Sequence, residues 1–246
     1  MNGQLVDEQY LYDIANAIRR KNGRSTLYRP QDMDDAISNI SSTEDLLEQF
    51  LGTKTVTSLY IKGITTIRDS AFNGYTTLES VSFPDVISIG ENAFEGCSSL
   101  SSVNLPSCTT VSKNAFKNCD ALTNIDLSSA TSVKAYAFDF CRMLDNVILP
   151  VCTTIGSWGF NSCYSLSTIE LPSVTSISDY VFYNCSSLTS LILPGSTRCT
   201  LSGEYVFYYT PIDSGTGYIY VPAELVDAYK AAYIWSRYAN QIRAIT

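Results

Sequence analysis

Five of the eight cysteines, Cys97, Cys119, Cys141, Cys163 and Cys185, recur every 22 residues. A thiolate is a nucleophile and a metal ligand, so this spacing is the first chemistry to test. A nucleophilic cysteine needs a neighbouring base, and the chain contains no histidine. Zinc-type sites need clustered C-x-x-C pairs, which are missing. Thiols stacked one repeat apart also point the same way, a poor geometry for a bridge. These cysteines are expected to be reduced and to act as small buried hydrophobes.

A second set is aromatic. Tyr136, Trp158, Tyr180 and Tyr205 share one position of successive repeats, where Ser70, Asn92 and Asn114 stand earlier. Such a stripe can bind the apolar face of sugar rings or a protein partner. Equally, it can sit half-buried at a corner with its rings stacked on each other. A third set, Tyr60, Asn104, Asp126 and Glu170, falls on alternate positions of short strands, beside a ladder of Ser80, Ser102, Asn124, Asn146, Thr168 and Ser190. Asp126 and Glu170 lie two repeats apart, about 10 Å at the spacing of neighbouring strands. Paired carboxylates run glycoside hydrolysis at such separations, but an open sheet offers neither one a raised pKa. No phosphate-binding glycine loop and no G-x-S-x-G elbow occurs. The expectation is a non-enzymatic protein with no metal and no cofactor, and with these two residue sets as candidate ligand-binding positions.

The elements that must position them repeat. Phe72, Phe94, Phe116, Phe138, Phe160 and Phe182 are 22 residues apart. Further columns run through Leu78 to Leu188, Val81 to Leu191, Phe83 to Leu193 and Ile67 to Ile177. The V-x-L alternation has period 2 and reads as a strand with one face buried. A proline ends it at Pro84, Pro106, Pro150, Pro172 and Pro194, with Ser128 the exception. No unit can bury its apolar face alone, so the units must stack into a solenoid.

With "AFEGCSSLSSVNLP" and "AFNGYTTLESVSFP" the chain resembles the BspA-type class of bacterial leucine-rich repeats, over roughly Val56 to Pro222. The resemblance implies an α/β repeat solenoid, a right-handed curved array with a parallel β-sheet on its concave side. It also implies a cell-surface or secreted protein with adhesive roles.

Three regions are expected: a helical N-terminal module at 1–53, a solenoid of about seven units at 54–222, and a helical C-terminal cap at 223–246. In the first, Leu11, Ile14, Ala15 and Ile18 share a helical face, and Pro30 opens a second helix. The stretch "LYDIANAIRRKNGRSTLYRPQDMDDAISNI" is similar to a short helical module on tail-associated proteins of phages and prophages of Gram-positive bacteria. The matching positions are Ala15, Ala17, Ile18, Arg19, Lys21, Gly23, Pro30, Met33 and Ile37. The same residues also serve as a plain solenoid cap in the alternative reading. In the cap, Leu225, Val226 and Tyr229, then Trp235, Tyr238 and Ile242, follow a helical period. Phe207 and Pro222 are late in the pattern, and one three-residue insertion around "TPIDSGTG" is expected to explain both.

The chain has 16 basic and 24 acidic side chains. That balance repels phosphate backbones and anionic membranes, so no nucleic acid and no membrane insertion is expected. The N-terminus lacks the apolar core of a secretory signal, which argues against export by the general route. Together these features lead to a phage or prophage tail protein in the virion. Its repeats would bind a protein or glycan of the host surface, and residues 1–53 would bind other tail proteins or a second copy. The alternative is a bacterial secreted or cell-surface adhesin.

Overall fold

The computed structural model describes residues 57–245. The helical module expected at 1–53, and the tail-protein resemblance with it, lie outside the described residues.

Each repeat supplies one strand to each of two parallel ladders. The first ladder contains β1 Ser58–Tyr60, β3 Ser80–Ser82, β5 Ser102–Asn104, β7 Asn124–Asp126, β9 Asn146–Ile148, β11 Thr168–Glu170, β13 Ser190–Ile192, β15 Tyr218–Val221 and β16 Ile242–Ala244. It runs as two sheets, β1 to β9 and β11 to β16. The second ladder contains β2 Thr66–Ile67, β4 Ser88–Ile89, β6 Thr110–Val111, β8 Ser132–Val133, β10 Thr154–Ile155, β12 Ser176–Ile177 and β14 Thr200–Leu201. Residues 22 apart pair in both, as in Val81 with Val103 and Ile89 with Val111. This register keeps every apolar column continuous.

The core is a set of ladders. The phenylalanine rings from Phe72 to Phe207 stack face to face, with centroids 5.0–5.9 Å apart. All eight cysteines are free and buried. In the main column each thiol donates to the carbonyl of a phenylalanine one turn back: Cys97 to Phe72, Cys119 to Phe94, Cys141 to Phe116, Cys163 to Phe138 and Cys185 to Phe160, at 3.0–3.2 Å. A small apolar side chain fills this space, and its weak donor also occupies a corner carbonyl. That dual role suits cysteine better than valine.

The structure corrects four expectations. The repeats hold strands and tight turns where an α/β label implies helices: 22 residues that already supply two strands leave room for turns only. A second ladder exists at the Ile/Val column, which the sequence showed only as an apolar position. The C-terminal cap is not one helix. It contains a 3₁₀ turn at Ala223–Leu225, an α-helix at Val226–Ala231, a second 3₁₀ turn at Trp235–Tyr238, and then β16, paired parallel to β15. Tyr229 accepts a hydrogen bond from the Cys199 amide at 2.8 Å, and the Trp235 indole donates to the Cys199 carbonyl at 2.9 Å. Two anchors on one residue force the chain to fold back between them, and Ile234 does so at φ 68°. Finally, the extra residues enter in three steps, one of them a single residue between Leu201 and Phe207, which stacks on Phe182. Ser176 pairs with Thr200, so extra residues precede Cys199; Ser190 pairs with Tyr218, so more enter around the short helix Pro211–Ser214.

Candidate binding surfaces

The corner before each cysteine carries the aromatic column. Its backbone alternates two kinds of hydrogen bond. The amides of Ser70, Phe72 and Gly74 donate to the next turn, at Glu91, Ala93 and Glu95, while those of Ala71, Asn73 and Tyr75 close local turns. Left-handed residues at two positions per turn accompany this alternation. The first position is Ser70, Asn92, Asn114, Tyr136, Trp158 and Tyr180, all with φ of 57–62°. The second is Gly74, Gly96, Asn118, Phe140, Ser162, Asn184 and Tyr209. Gly and Asn suit this conformation, whereas a bulky side chain there costs on the order of 1–2 kcal/mol.

The structure brings all four predicted aromatics together. Tyr136, Trp158, Tyr180 and Tyr205 form one stack, with centroid steps of 6.0, 4.1 and 5.2 Å and ring planes within 8°. Both earlier readings meet here. Tyr136, Trp158 and Tyr180 are half-buried against one another, and Tyr205 is 41% exposed. A parallel stack spends its ring faces internally and shows solvent its edges, so a sugar finds no free face between rungs. Beside it lies a second cluster that the sequence reading missed. Tyr183 stacks on Tyr208, and Tyr209, 61% exposed, meets both edge-on. The "FYN" that begins at Phe182 and the "FYY" that begins at Phe207, in register, were its signal. The Tyr180 and Tyr183 hydroxyls are pushed above their ordinary pKa by desolvation first, then by Asp179 and Tyr209 respectively.

A polar chain borders the stack at its N-terminal end. Lys117 places its ammonium 5.2 Å from the Tyr136 ring centre and 3.0 Å from the Asp139 carboxylate. Buried Asp139 also accepts from the Asn161 amide at 2.6 Å, Ser162 donates to Asn161, and Asn184 donates to Ser162. These side chains occupy two adjacent columns of the repeat and satisfy one another, as buried polar groups must.

The strand-borne candidates share a column but do not converge. Tyr60, exposed, has Lys62 over its ring at 5.6 Å. Asn104 donates to Ser82 at 2.9 Å. Asp126 is opposite Asn104 and accepts from the amide and the hydroxyl of Ser128. Ser128 stands where the other repeats have proline, and its extra N–H is what Asp126 caps. Ile148 separates Asp126 from Glu170, and β9 and β11 do not pair. Among the described residues no three metal-ligating side chains converge, and no helix is long and apolar enough to cross a membrane.

Two parallel ladders, 22-residue register and stacked apolar columns define a leucine-rich-repeat solenoid. Six copies of the BspA type leucine rich repeat match the chain, over residues 48–151 and 109–233. The chain belongs to the BspA-type leucine-rich repeat family. It is similar to the leucine-rich repeat protein of T. pallidum, with 27% identity over 63% of this chain and 79% of that one, and a TM-score of 0.57. A leucine-rich repeat protein from Bacteroides ovatus is 22% identical over 71% of this chain and 57% of that one, with a TM-score of 0.52. No curated protein matches.

Proposed function

We propose that this chain is a non-enzymatic binding protein of the secreted or cell-surface adhesive kind, which engages a protein partner through its repeats. The observation that carries the reading is the outward side of the first ladder. From β7 to β13 one column runs Asp126, Ile148, Glu170 and Ile192, with Ile148 40% exposed between two exposed carboxylates. An isoleucine set between charges on a rigid sheet offers apolar contact and orientation together. Membership of a repeat family built for extended surfaces supports it.

The finer reading, a phage tail protein that recognises a host, draws first on the resemblance carried by residues 11–40. Both readings meet one test: the full chain is screened against purified secreted and cell-surface proteins and against a glycan array, and virions from the source are probed for it. Micromolar or tighter protein binding, lost in Ile148→Glu, supports the adhesive reading. Co-sedimentation with virions moves the assignment to the tail. Failure to bind any protein or glycan overturns the proposal.

A further inference from the structure

We propose that the aromatic corner of the C-terminal turns, formed by Trp158, Tyr180, Tyr183, Tyr205, Tyr208 and Tyr209, is a docking surface for a basic protein partner. It is separate from the first ladder. The inference rests on the reading of the chain as a binding protein, and adds a surface and a partner chemistry.

The backbone supplies the first argument. Tyr136, Trp158, Tyr180 and Tyr209 hold φ of 59–62°, where the other turns place Ser, Asn or Gly at the same positions, Phe140 excepted. The inter-turn bond forms from Ser70, Asn92 and Asn114 as well as from Tyr136 and Trp158, and the Tyr180 amide turns instead to the Asp179 carboxylate, so the fold does not need rings there. Strained residues kept against local preference mark places with another task.

Ring geometry supplies the second. The stack from Tyr136 to Tyr205 and the Tyr183–Tyr208 pair lock one another, with Trp158 and Tyr180 tilted at 52–55° against Tyr183. Side chains already fixed lose little freedom on docking. What they show outward is ring edges and hydroxyls. Ring edges carry the positive side of the quadrupole and meet carbonyl oxygens and aromatic faces of a protein. A pyranose needs an open face, and the faces between rungs are taken.

Charge supplies the third. Asp179 lies in the corner itself, its carboxylate accepting from the amides of Tyr180 and Tyr205, and Glu204, which accepts from Tyr233, precedes Tyr205 in the chain. Arg237, which lies 5.5 Å from the Tyr208 ring centre, is paired with Asp213 at 3.7 Å. No lysine occurs between Lys134 and Lys230. Surplus negative charge around a patch selects basic partners.

The test uses the full chain, a displayed library of random-sequence peptides and a glycan array. Two variants accompany it: Trp158→Asn with Tyr180→Asn, and Tyr209→Ser, which changes an exposed ring to a residue its own column already uses. Thermal melts identify folded variants. Peptides selected on the unaltered chain are expected to be rich in Lys and Arg, to weaken with salt, and to bind the variants roughly thirty-fold less tightly, as for loss of a hot spot. Peptides that bind the variants equally but fail on Ile148→Glu overturn this surface and leave the binding reading standing. Selected peptides without a basic bias overturn the charge argument. Glycans that need the corner overturn the protein partner. If neither library yields a binder, the surface and the binding reading fail together.

Discussion

The N-terminal and C-terminal corners of this solenoid share one backbone with two different surfaces. At the first left-handed position the early turns carry Ser70, Asn92 and Asn114, and the later ones Tyr136, Trp158 and Tyr180. The inter-turn bond from the first position is kept on both sides: Asn92 donates to Lys113, and Tyr136 to Ser157. Beneath them the phenylalanine and cysteine ladders run through both halves without a change of register. Core and backbone therefore set the fold, and the corner side chains are free to vary. Lys117 marks the boundary, with its ammonium between the Asp139 carboxylate and the first ring of the stack.

If the halves differ only at the corner, a stress on the shared core must act on both. Alkaline pH is the strongest such stress. Burial raises the thiols of Cys108 to about 11 and Cys199 to about 12, and raises Cys119, Cys141, Cys152 and Cys163 as well. The unfolded chain then loses these protons before the folded one. Stability is fully present below the ordinary thiol range and falls as pH rises from about 9, by up to about 1.4 kcal/mol per group and pH unit. Chemical denaturation from pH 7 to 10.5 should show one steep, cooperative loss. Two separated transitions would divide the core as well as the corner.

Core truncation comes next. Phe116→Ala and Phe160→Ala, one ring from each half, should each cost about 3–5 kcal/mol in urea unfolding. A large difference between them would contradict a uniform ladder. At the boundary, Lys117→Ala strands the buried Asp139 carboxylate. A cost of about 2 kcal/mol is expected, less than for a fully buried pair because the Lys117 side chain is 28% exposed.

Exchange of the corner residues sharpens the contrast itself. Asn92→Tyr introduces a left-handed aromatic beside Asn114 and Ser70, with no ring to stack on, and should destabilise by about 1 kcal/mol. Trp158→Asn loses two stacking partners but relieves strain, so its cost should stay near 1–2 kcal/mol, well below that of an ordinary tryptophan deletion. The smallest effect is expected at the one turn without proline. Asp126→Ala should cost under about 1 kcal/mol, and Ser128→Pro, which removes the amide that Asp126 caps, should abolish that cost in a double-mutant cycle.

The repeat period, the strand alternation and its proline stops, and the buried columns were all legible, because every rung restates them. The aromatic column was legible too, since four rings at one position announce a stack. Lys117, Asp139, Asn161, Tyr183 and Tyr208 stand in one column, directly after the phenylalanines, so the period places them together; hidden were their contacts across to the neighbouring columns, at Tyr136, Ser162 and Tyr209. The cap misled for a related reason. Leu225, Val226, Tyr229, Trp235, Tyr238 and Ile242 fit a helical period, yet Tyr229 and Trp235 both return to Cys199 and Ile242 begins a strand.

The sequence by itself determined the solenoid, its register and its core, because stacking is the only way 22-residue units of this pattern can bury their apolar columns. Tertiary structure alone decided how the corner meets solvent. Whether a ring offers its face or its edge depends on the distance and tilt of the next ring, and neither is written in the identity of the residue.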